Sequence, residues 1–380
     1  MEFSAVSRLE HGCIVAEVSV PKPAFKMQYA YYLCEKTRGV LEKRWYTDEN
    51  SCSFQLPQSG TYYIRAYIRW KENAGQEYTT AAKNTEEITF HFHPTKHLQY
   101  EALAQESFRS KDGMFYDILW DGVHYEFFIH NRPGSDKAII LGSGAVGRRV
   151  RPNFHRISWA NKVPGTAIYY SDPTSYIDPC TLGWGYGTNE RWYLEDISIL
   201  LCKILAKLGI KPENTLFYGS SGGGFTSILL ASMFHSRATV INSQFIVQNY
   251  QPHHIVRLKR ACLKAGESLL PQRLHVLETF RRTGYFPLMH IIQNIWVGED
   301  VTQQLNPFLE QLSQAGMDCG ERFWIEFYTD AGGHNAMPDA QLCMRQMAED
   351  LARPLPPAPE YAPCPDGFLS RFYAAVSEME

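Results

Sequence analysis

The sequence predicts an α/β protein: a mostly parallel sheet flanked by helices over residues 114–352, preceded by a small β-sandwich over residues 1–95. Three observations lead there. From about residue 137 onward, short apolar runs alternate with amphipathic stretches, the pattern of repeated strand–helix units. Before residue 95 the chain reads instead as closely spaced short strands with turn signals between them. Finally, Leu216-Phe217-Tyr218-Gly219-Ser220-Ser221-Gly222-Gly223-Gly224-Phe225 joins an apolar strand to a helix through a turn made only of glycine and serine.

In the first region, Ile14 to Val20 alternates and then meets Pro21 and Pro23, and Met27 to Cys34 is rich in aromatics. Ser51 to Leu56 is followed by the turn Pro57-Gln58-Ser59-Gly60, then by strands over Thr61–Trp70 and Glu87–His93. The Ser-Gly-Thr-Tyr-Tyr-Ile-Arg-Ala-Tyr stretch resembles the late strand of immunoglobulin-like modules, in which a tyrosine after a tight turn locks a corner. Its aromatics suit either carbohydrate binding or core packing.

A polar connector is expected over 96–113, then a hairpin, Met114–Trp120 and Val123–His130, around the favoured turn Asp121-Gly122. Strands are expected at Lys137–Leu141, Thr166–Tyr170, Ala238–Asn242, Leu288–Val297 and Arg322–Tyr328. Helices are expected at Tyr193–Leu208, Phe225–Phe234, Val301–Gln314 and Ala340–Leu351. Residues 353–380 read as a Pro-rich connector and a short amphipathic helix, suited to capping the domain or docking a partner.

Bulk properties exclude several classes. At 380 residues, 44% hydrophobic and 20% charged, the chain is an ordinary globular protein of two domains. A net charge of −3 gives no global attraction to nucleic acid, though a local basic patch is compatible with it. The opening MEFSAVSRLEHG lacks a basic segment followed by an apolar one, so no signal peptide is expected, and no apolar run nears the about 20 residues of a membrane span. Nine scattered cysteines without a C-x-x-C pair predict reduced thiols, no metal site and a cytoplasmic location.

The glycine–serine turn has the G-x-S-x-G form of a nucleophile elbow in its strand–turn–helix setting, with Ser221 at the tip. A serine on so sharp a turn has a strained backbone, and neighbours at 219, 222 and 223 must lack side chains. A glycine-rich phosphate-binding or merely structural turn is the alternative, but no Lys-Ser/Thr follows as in a P-loop. A serine hydroxyl needs a base, and Tyr328-Thr329-Asp330-Ala331-Gly332-Gly333-His334 offers His334 on a free-turning loop after the last core strand. An oxyanion needs two fixed N–H donors: one from Gly222, the other from Gly144 or Ala145 in the loop Leu141-Gly142-Ser143-Gly144-Ala145-Val146-Gly147. A plain glycine-rich turn is the alternative for that loop.

Elbow, glycine-rich loop and late histidine make residues 114–352 resemble the α/β-hydrolase superfamily, which implies the chain order serine, acid, histidine. Asp300, in Ile295-Trp296-Val297-Gly298-Glu299-Asp300, is the preferred acid, with Glu299 and then Asp330 as alternatives; each also suits a solvated loop or a helix cap. Arg148, Arg149, Arg151, His155 and Arg156 would form a cationic rim for a phosphate-bearing donor or acidic glycan, or a merely solvated cluster. Trp184, Tyr186 and Trp192, around a Gly-rich stretch, suit sugar stacking and packing equally.

A weaker resemblance rests on Ser143-Gly144-Ala145, Pro152-x-Phe154-x-Arg156-x-Ser158-Trp159, Asp172-Pro173-Thr174 and Gln293-Asn294. These are similar to α/β-hydrolase proteins of bacterial surface-glycan loci: capsule O-acetyltransferases and the hydrolase-like component of accessory secretion systems. The resemblance implies a serine O-acetyltransferase or esterase acting on a surface polysaccharide or its precursor, with partner proteins of a glycan-assembly complex. No bound cofactor is expected, and acetyl-CoA is one candidate acyl donor. An esterase of the siderophore kind and a non-catalytic scaffold are the alternatives.

Overall fold

A computed structural model describes residues 2–10, 13–21, 23–56, 60–73, 75–90, 95–146, 152–317, 319–357 and 367–378. The chain forms two compact units, Met1–His93 and Pro94–Glu380.

The first unit is all β. Strands β1 (Ser4–Glu10), β2 (Cys13–Ser19) and β5 (Ser51–Gln55) form one antiparallel sheet. Strands β4 (Gly39–Thr47), β3 (Gln28–Glu35), β6 (Gly60–Trp70) and β7 (Thr79–Asn84) form a second, with β8 (Ile88–Phe90) also on β6. The period-two pattern of β6 explains its place: Tyr62, Ile64, Ala66, Ile68 and Trp70 are buried with Ile14, Val18 and Phe54 from the other sheet. Tyr63, Arg65, Tyr67 and Arg69 take the opposite face.

The second unit is built on a nine-stranded, mostly parallel sheet. Its strands are β9 (Thr95–Gln99), β10 (Met114–Trp120), β11 (Val123–His130), β12 (Ala138–Gly142), β13 (Thr166–Tyr170), β14 (Thr215–Ser220), β15 (Arg237–Ile241), β16 (Leu288–Asn294) and β17 (Phe323–Tyr328), in the spatial order β17-β16-β15-β14-β12-β13-β11-β10-β9. From β13 to β17 neighbouring strands are parallel; the hairpin β10–β11 adds the antiparallel edge. The central strands are continuous apolar runs because both faces are covered. In β12, Ile140 joins one core and Ile139 and Leu141 the other.

Helices α1 (Tyr193–Leu208), α2 (Gly222–Met233) and α4 (Val276–Thr283) pack on the first core, to which α3 (Pro252–Cys262) adds Leu258. A one-turn helix α5 (Gly298–Asp300) runs through a π turn, Val301–Leu305, into α6 (Asn306–Ala315). Helix α7 (Ala340–Ala352) covers the second core with Cys343, Met347 and Leu351, and α8 (Ser370–Ser377) docks Phe372 into the first core beside α1. The tail thus packs on its own unit. Among the described residues no helix is long and apolar enough to cross a membrane.

Two expectations change. The connector expected over 96–113 carries structure: β9 pairs in parallel with β10, and a 3-10 helix spans Tyr100–Gln105. The strand expected over Leu288–Val297 ends at Asn294, where side-chain hydrogen bonds take over the backbone.

The chain passes from β12 to β13 on one side and later returns to β14 on the other, so strand order reverses between β12 and β14. Loops at the carboxyl ends of two such strands diverge and leave a crevice. Close backbone packing there depends on glycine: a Cβ on Gly223 would lie 2.7 Å from the Gly142 carbonyl oxygen, and one on Gly219 would lie 2.2 Å from that of Gly223. Gly223→Ala should therefore cost about 1–3 kcal/mol of overpacking, read as a lowered Tm in thermal unfolding, whereas Gly298→Ala, with open space at its Cβ, should leave Tm unchanged.

Candidate active site

Ser221 sits between β14 and α2 with φ 55° and ψ −129°, a conformation that side-chain-bearing residues rarely adopt. Its N–H donates to the Ile241 carbonyl at 3.1 Å, and its own carbonyl accepts from Gly224 and Phe225 N–H. The backbone is thus held from both sides, and the hydroxyl stands clear of the turn.

Three side chains meet in a line. Ser221 Oγ lies 2.8 Å from His334 Nε2, and His334 Nδ1 lies 2.6 Å from Asp300 Oδ2. A carboxylate only accepts, so Nδ1 carries the proton and Nε2 is the acceptor facing the serine. Asp300 is buried at the end of α5, while its neighbour Glu299 is exposed. Asp330 is used otherwise: its carboxylate accepts from Gly332 N–H at 2.7 Å and shapes the histidine loop.

Two buried asparagines hold that loop. Asn242 Nδ2 donates to the Tyr328 hydroxyl and to the carbonyls of His334 and Ala336, at 2.9, 3.0 and 3.2 Å, and its Oδ1 accepts from Asn294 N–H at 2.8 Å. Asn294 Nδ2 donates to the carbonyls of Asp330 and Gly333, and its Oδ1 accepts from the N–H of Trp296 and Asp330. The same two residues therefore tie β15 and β16 to the segment that carries His334.

On its other side Ser221 Oγ accepts from Gln244 Nε2 at 3.1 Å, and Gln244 Oε1 in turn accepts from Trp184 Nε1 at 2.5 Å. Tyr250 lies beside His334, with ring centroids 6.1 Å apart; burial first, then the Asp300 charge, pushes its hydroxyl above the ordinary tyrosine range. His254 stacks on Tyr250 and is pushed down to about 4, chiefly by burial, so it is neutral near pH 7.

The loop after β12 lies over the serine: a Cβ on Gly144 would be 3.7 Å from Ser221 Cβ. Gly144 N–H, however, donates to His155 Nδ1 at 3.3 Å, and Val146 N–H donates to the Thr181 carbonyl. Among the described residues the N–H groups of Ala145 and Gly222 have no acceptor. Gly222 opens α2, where orphan N–H groups and the positive end of the helix dipole coincide.

The expected cationic rim is not what the described residues form. His155 is held below its ordinary pKa, first by burial and then by Arg156, so it is neutral near pH 7. Arg156 turns inward and donates to Ser220 Oγ at 2.5 Å and to Met337 Sδ at 3.2 Å, bracing the elbow against the histidine loop. Arg148, Arg149 and Arg151 lie outside the described residues. Trp184 is 1% exposed, and Tyr186 and Trp192 are also buried, so packing rather than an open stacking face describes them. Asp172 fixes this stretch by accepting from Gly185 and Thr174 N–H, both at 2.9 Å. The exposed aromatic here is Trp296, at 63%, just beyond Asn294.

Sequence reasoning missed Asn242, Gln244 and Tyr250. Asn242 and Gln244 are marked only by their position directly after β15, next to the elbow strand, whereas Tyr250 follows a 3-10 turn at Val247–Asn249 and carries no such mark.

No known protein family matches the chain, and no curated protein matches it. Solved structures are similar to its fold. The capsule O-acetyltransferase of Neisseria meningitidis serogroup A is 17% identical with a TM-score of 0.45, over 61% of this chain and 94% of that one. A thermophilic esterase from Thermogutta terrifontis, Est2, is 15% identical with a TM-score of 0.40, over 60% and 86%. The Glycosylation Associate Protein (Gap123) complex from Streptococcus agalactiae is 12% identical with a TM-score of 0.40, over 91% of this chain and 62% of that one. At such values the likeness concerns chain path and assigns no activity.

Asn294→Ala should cost about 1–3 kcal/mol, because the carbonyls of Asp330 and Gly333 lose their buried donor. Thermal unfolding should show the loss, and the His334 ring should become less ordered in a crystal structure of the variant.

Proposed function

We propose that this protein is a serine acyl-transfer enzyme, an O-acetyltransferase or esterase. One observation carries the reading: a serine held at φ 55° with its hydroxyl in line with His334 and buried Asp300. Nothing in the packing of α2 against the sheet requires a serine there, and such backbone strain persists where it serves a site.

Gln244 donates into a lone pair of Ser221 Oγ, which leaves the hydroxyl proton for His334 Nε2. As Oγ attacks the acyl carbon, its proton moves to Nε2, and Asp300 stabilises the imidazolium. The carbonyl oxygen becomes an oxyanion facing the free N–H groups of Gly222 and Ala145. His334 then returns the proton to the leaving alcohol or thiol as the tetrahedral intermediate collapses to the acyl-serine. In the second half, water or an acceptor hydroxyl gives its proton to His334 and attacks the ester, and Ser221 is regenerated.

A thioester such as acetyl-CoA or a simple ester both satisfy this chemistry as donor. A sugar hydroxyl is the acceptor we favour, because Trp296, 63% exposed, lies two residues beyond Asn294 and just before the turn carrying Asp300, and an indole face suits a pyranose. On this reading the target is a polysaccharide or its precursor.

Fluorophosphonate labelling tests the reading. Wild type should label and Ser221→Ala should not, while Asp300→Asn should label about 10²–10⁴-fold more slowly and Glu299→Gln within about twofold of wild type. Equal losses for the two acids would remove Asp300 from its role, and an unlabelled wild type would remove the activated serine. Trp296→Ala should keep labelling at the wild-type rate while raising KM for a glycan acceptor.

A further inference from the structure

The outward face of the second sheet of residues 1–93 is unlike an ordinary solvated surface. Along β6 it presents Tyr63, Arg65, Tyr67 and Arg69. Across from Arg65 stands Tyr32 on β3, which itself faces Lys43 on β4; across from Arg69 stands Gln28. Tyr32 packs on Tyr67 at 4.7 Å and on Trp45 at 6.0 Å between ring centroids. Trp45 is 65% exposed and Tyr78 44%, which folding alone leaves unexplained.

The cations are braced by rings and amides. Lys43 lies over Tyr32 and Trp45, at 5.0 and 5.8 Å. Arg69 is held between Tyr46 and Tyr78, at 4.0 and 4.1 Å, with Lys71 on the same Tyr78 ring. Arg65 Nε donates to Asn84 and Arg69 Nε to Gln28, both at 3.0 Å. Among the described residues none of Lys43, Arg65, Arg69 and Lys71 has a carboxylate within ion-pair distance. Charges held in place in this way have already lost their rotamer freedom, so an incoming anion meets a prearranged array.

The spacing narrows the ligand. The strand positions of Arg65 and Arg69, four residues apart on one face, are about 13 Å apart, and that of Lys43, two strands from Arg65, is about 10 Å away. A nucleic-acid strand, with one phosphate per about 3.4 Å along a duplex, would bring only every third or fourth phosphate to such positions and leave the rest unpaired. Gln28 is spent on Arg69 and, through its Nε2, on Asp48, whereas the amide nitrogen of Asn84, beside Arg65, suits a hydroxyl.

We propose that this face binds a sparsely charged acidic polysaccharide, its carboxylates or phosphates on Arg65, Arg69 and Lys43 and its rings against the outer edges of Trp45 and Tyr78. The inference is independent of Ser221 and its chemistry.

The test is titration of the full chain with fluorescein-labelled hyaluronan oligosaccharide, which carries one carboxylate per disaccharide, alongside neutral dextran and oligo-dT. Hyaluronan should bind near physiological salt, weaken as salt rises, and lose at least about tenfold in affinity in Arg65→Gln/Arg69→Gln; dextran should not bind. Lys43→Gln and Trp45→Ala, both on exposed side chains, provide the comparison if the double variant loses its thermal transition, and each should weaken binding severalfold. Unchanged hyaluronan affinity in the variants, equal binding of dextran, or tighter binding of oligo-dT would overturn the proposal. So would a dimer that dissociates on the same substitutions, which would make the face a contact between copies of the chain.

Discussion

The site depends on one constrained peptide, the turn that carries Ser221 from β14 into α2. Its φ of 55° costs about 1–3 kcal/mol and is held by the Ile241 carbonyl on one side and the first turn of α2 on the other. The helix can begin that close to the strand only because Gly219 and Gly223 let backbone approach backbone. A single arrangement thereby aims a hydroxyl outward and leaves the Gly222 N–H beside it. Both groups are needed by acyl chemistry, and neither is adjustable without the other.

The second requirement is the position of a histidine 113 residues away in sequence. Glycines at 332 and 333 allow the loop to turn but cannot fix it. Asn242 and Asn294 fix it, because each bonds loop carbonyls with its amide nitrogen while its amide oxygen takes backbone N–H groups at the strand ends. Gln244, held by Trp184, completes the surroundings of Ser221 Oγ from the other side. Besides the Asp300 carboxylate, the surroundings of Ser221 and His334 are thus set by neutral amides. Such hydrogen bonds are directional and cost less to bury than charges.

Much of this was legible in the sequence, and the reason is local. Apolar runs buried on both faces mark the parallel strands, and functional loops extend from their carboxyl ends. Ser221, His334 and Asp300 could therefore each be read from a strand and the loop attached to it. The features that were not legible depend on partners far along the chain. Arg156 reads as a surface cation, yet its partners are Ser220 and Met337. Trp184 suits stacking and packing equally in the sequence, and only its burial and its bond to Gln244, 60 residues on, decide for packing. Strand β9, Thr-Lys-His-Leu-Gln, has no apolar alternation and is a strand because β10 offers it a free edge. Gly144, expected as an oxyanion donor, is committed to His155, a contact eleven residues along that no motif announces.

If the strained Ser221 is a nucleophile, its Oγ is the atom that takes up the acyl group. Acid-quenched incubation with p-nitrophenyl acetate reads this step directly, with peptide mass spectrometry of wild type and of a His334→Ala control. The expected result is one acetyl group on the peptide spanning β14 and α2, localised to Ser221, appearing at early times in wild type and absent from the control. Acetylation at lysines alone, or equal acetylation of Ser221 in both proteins, would contradict it.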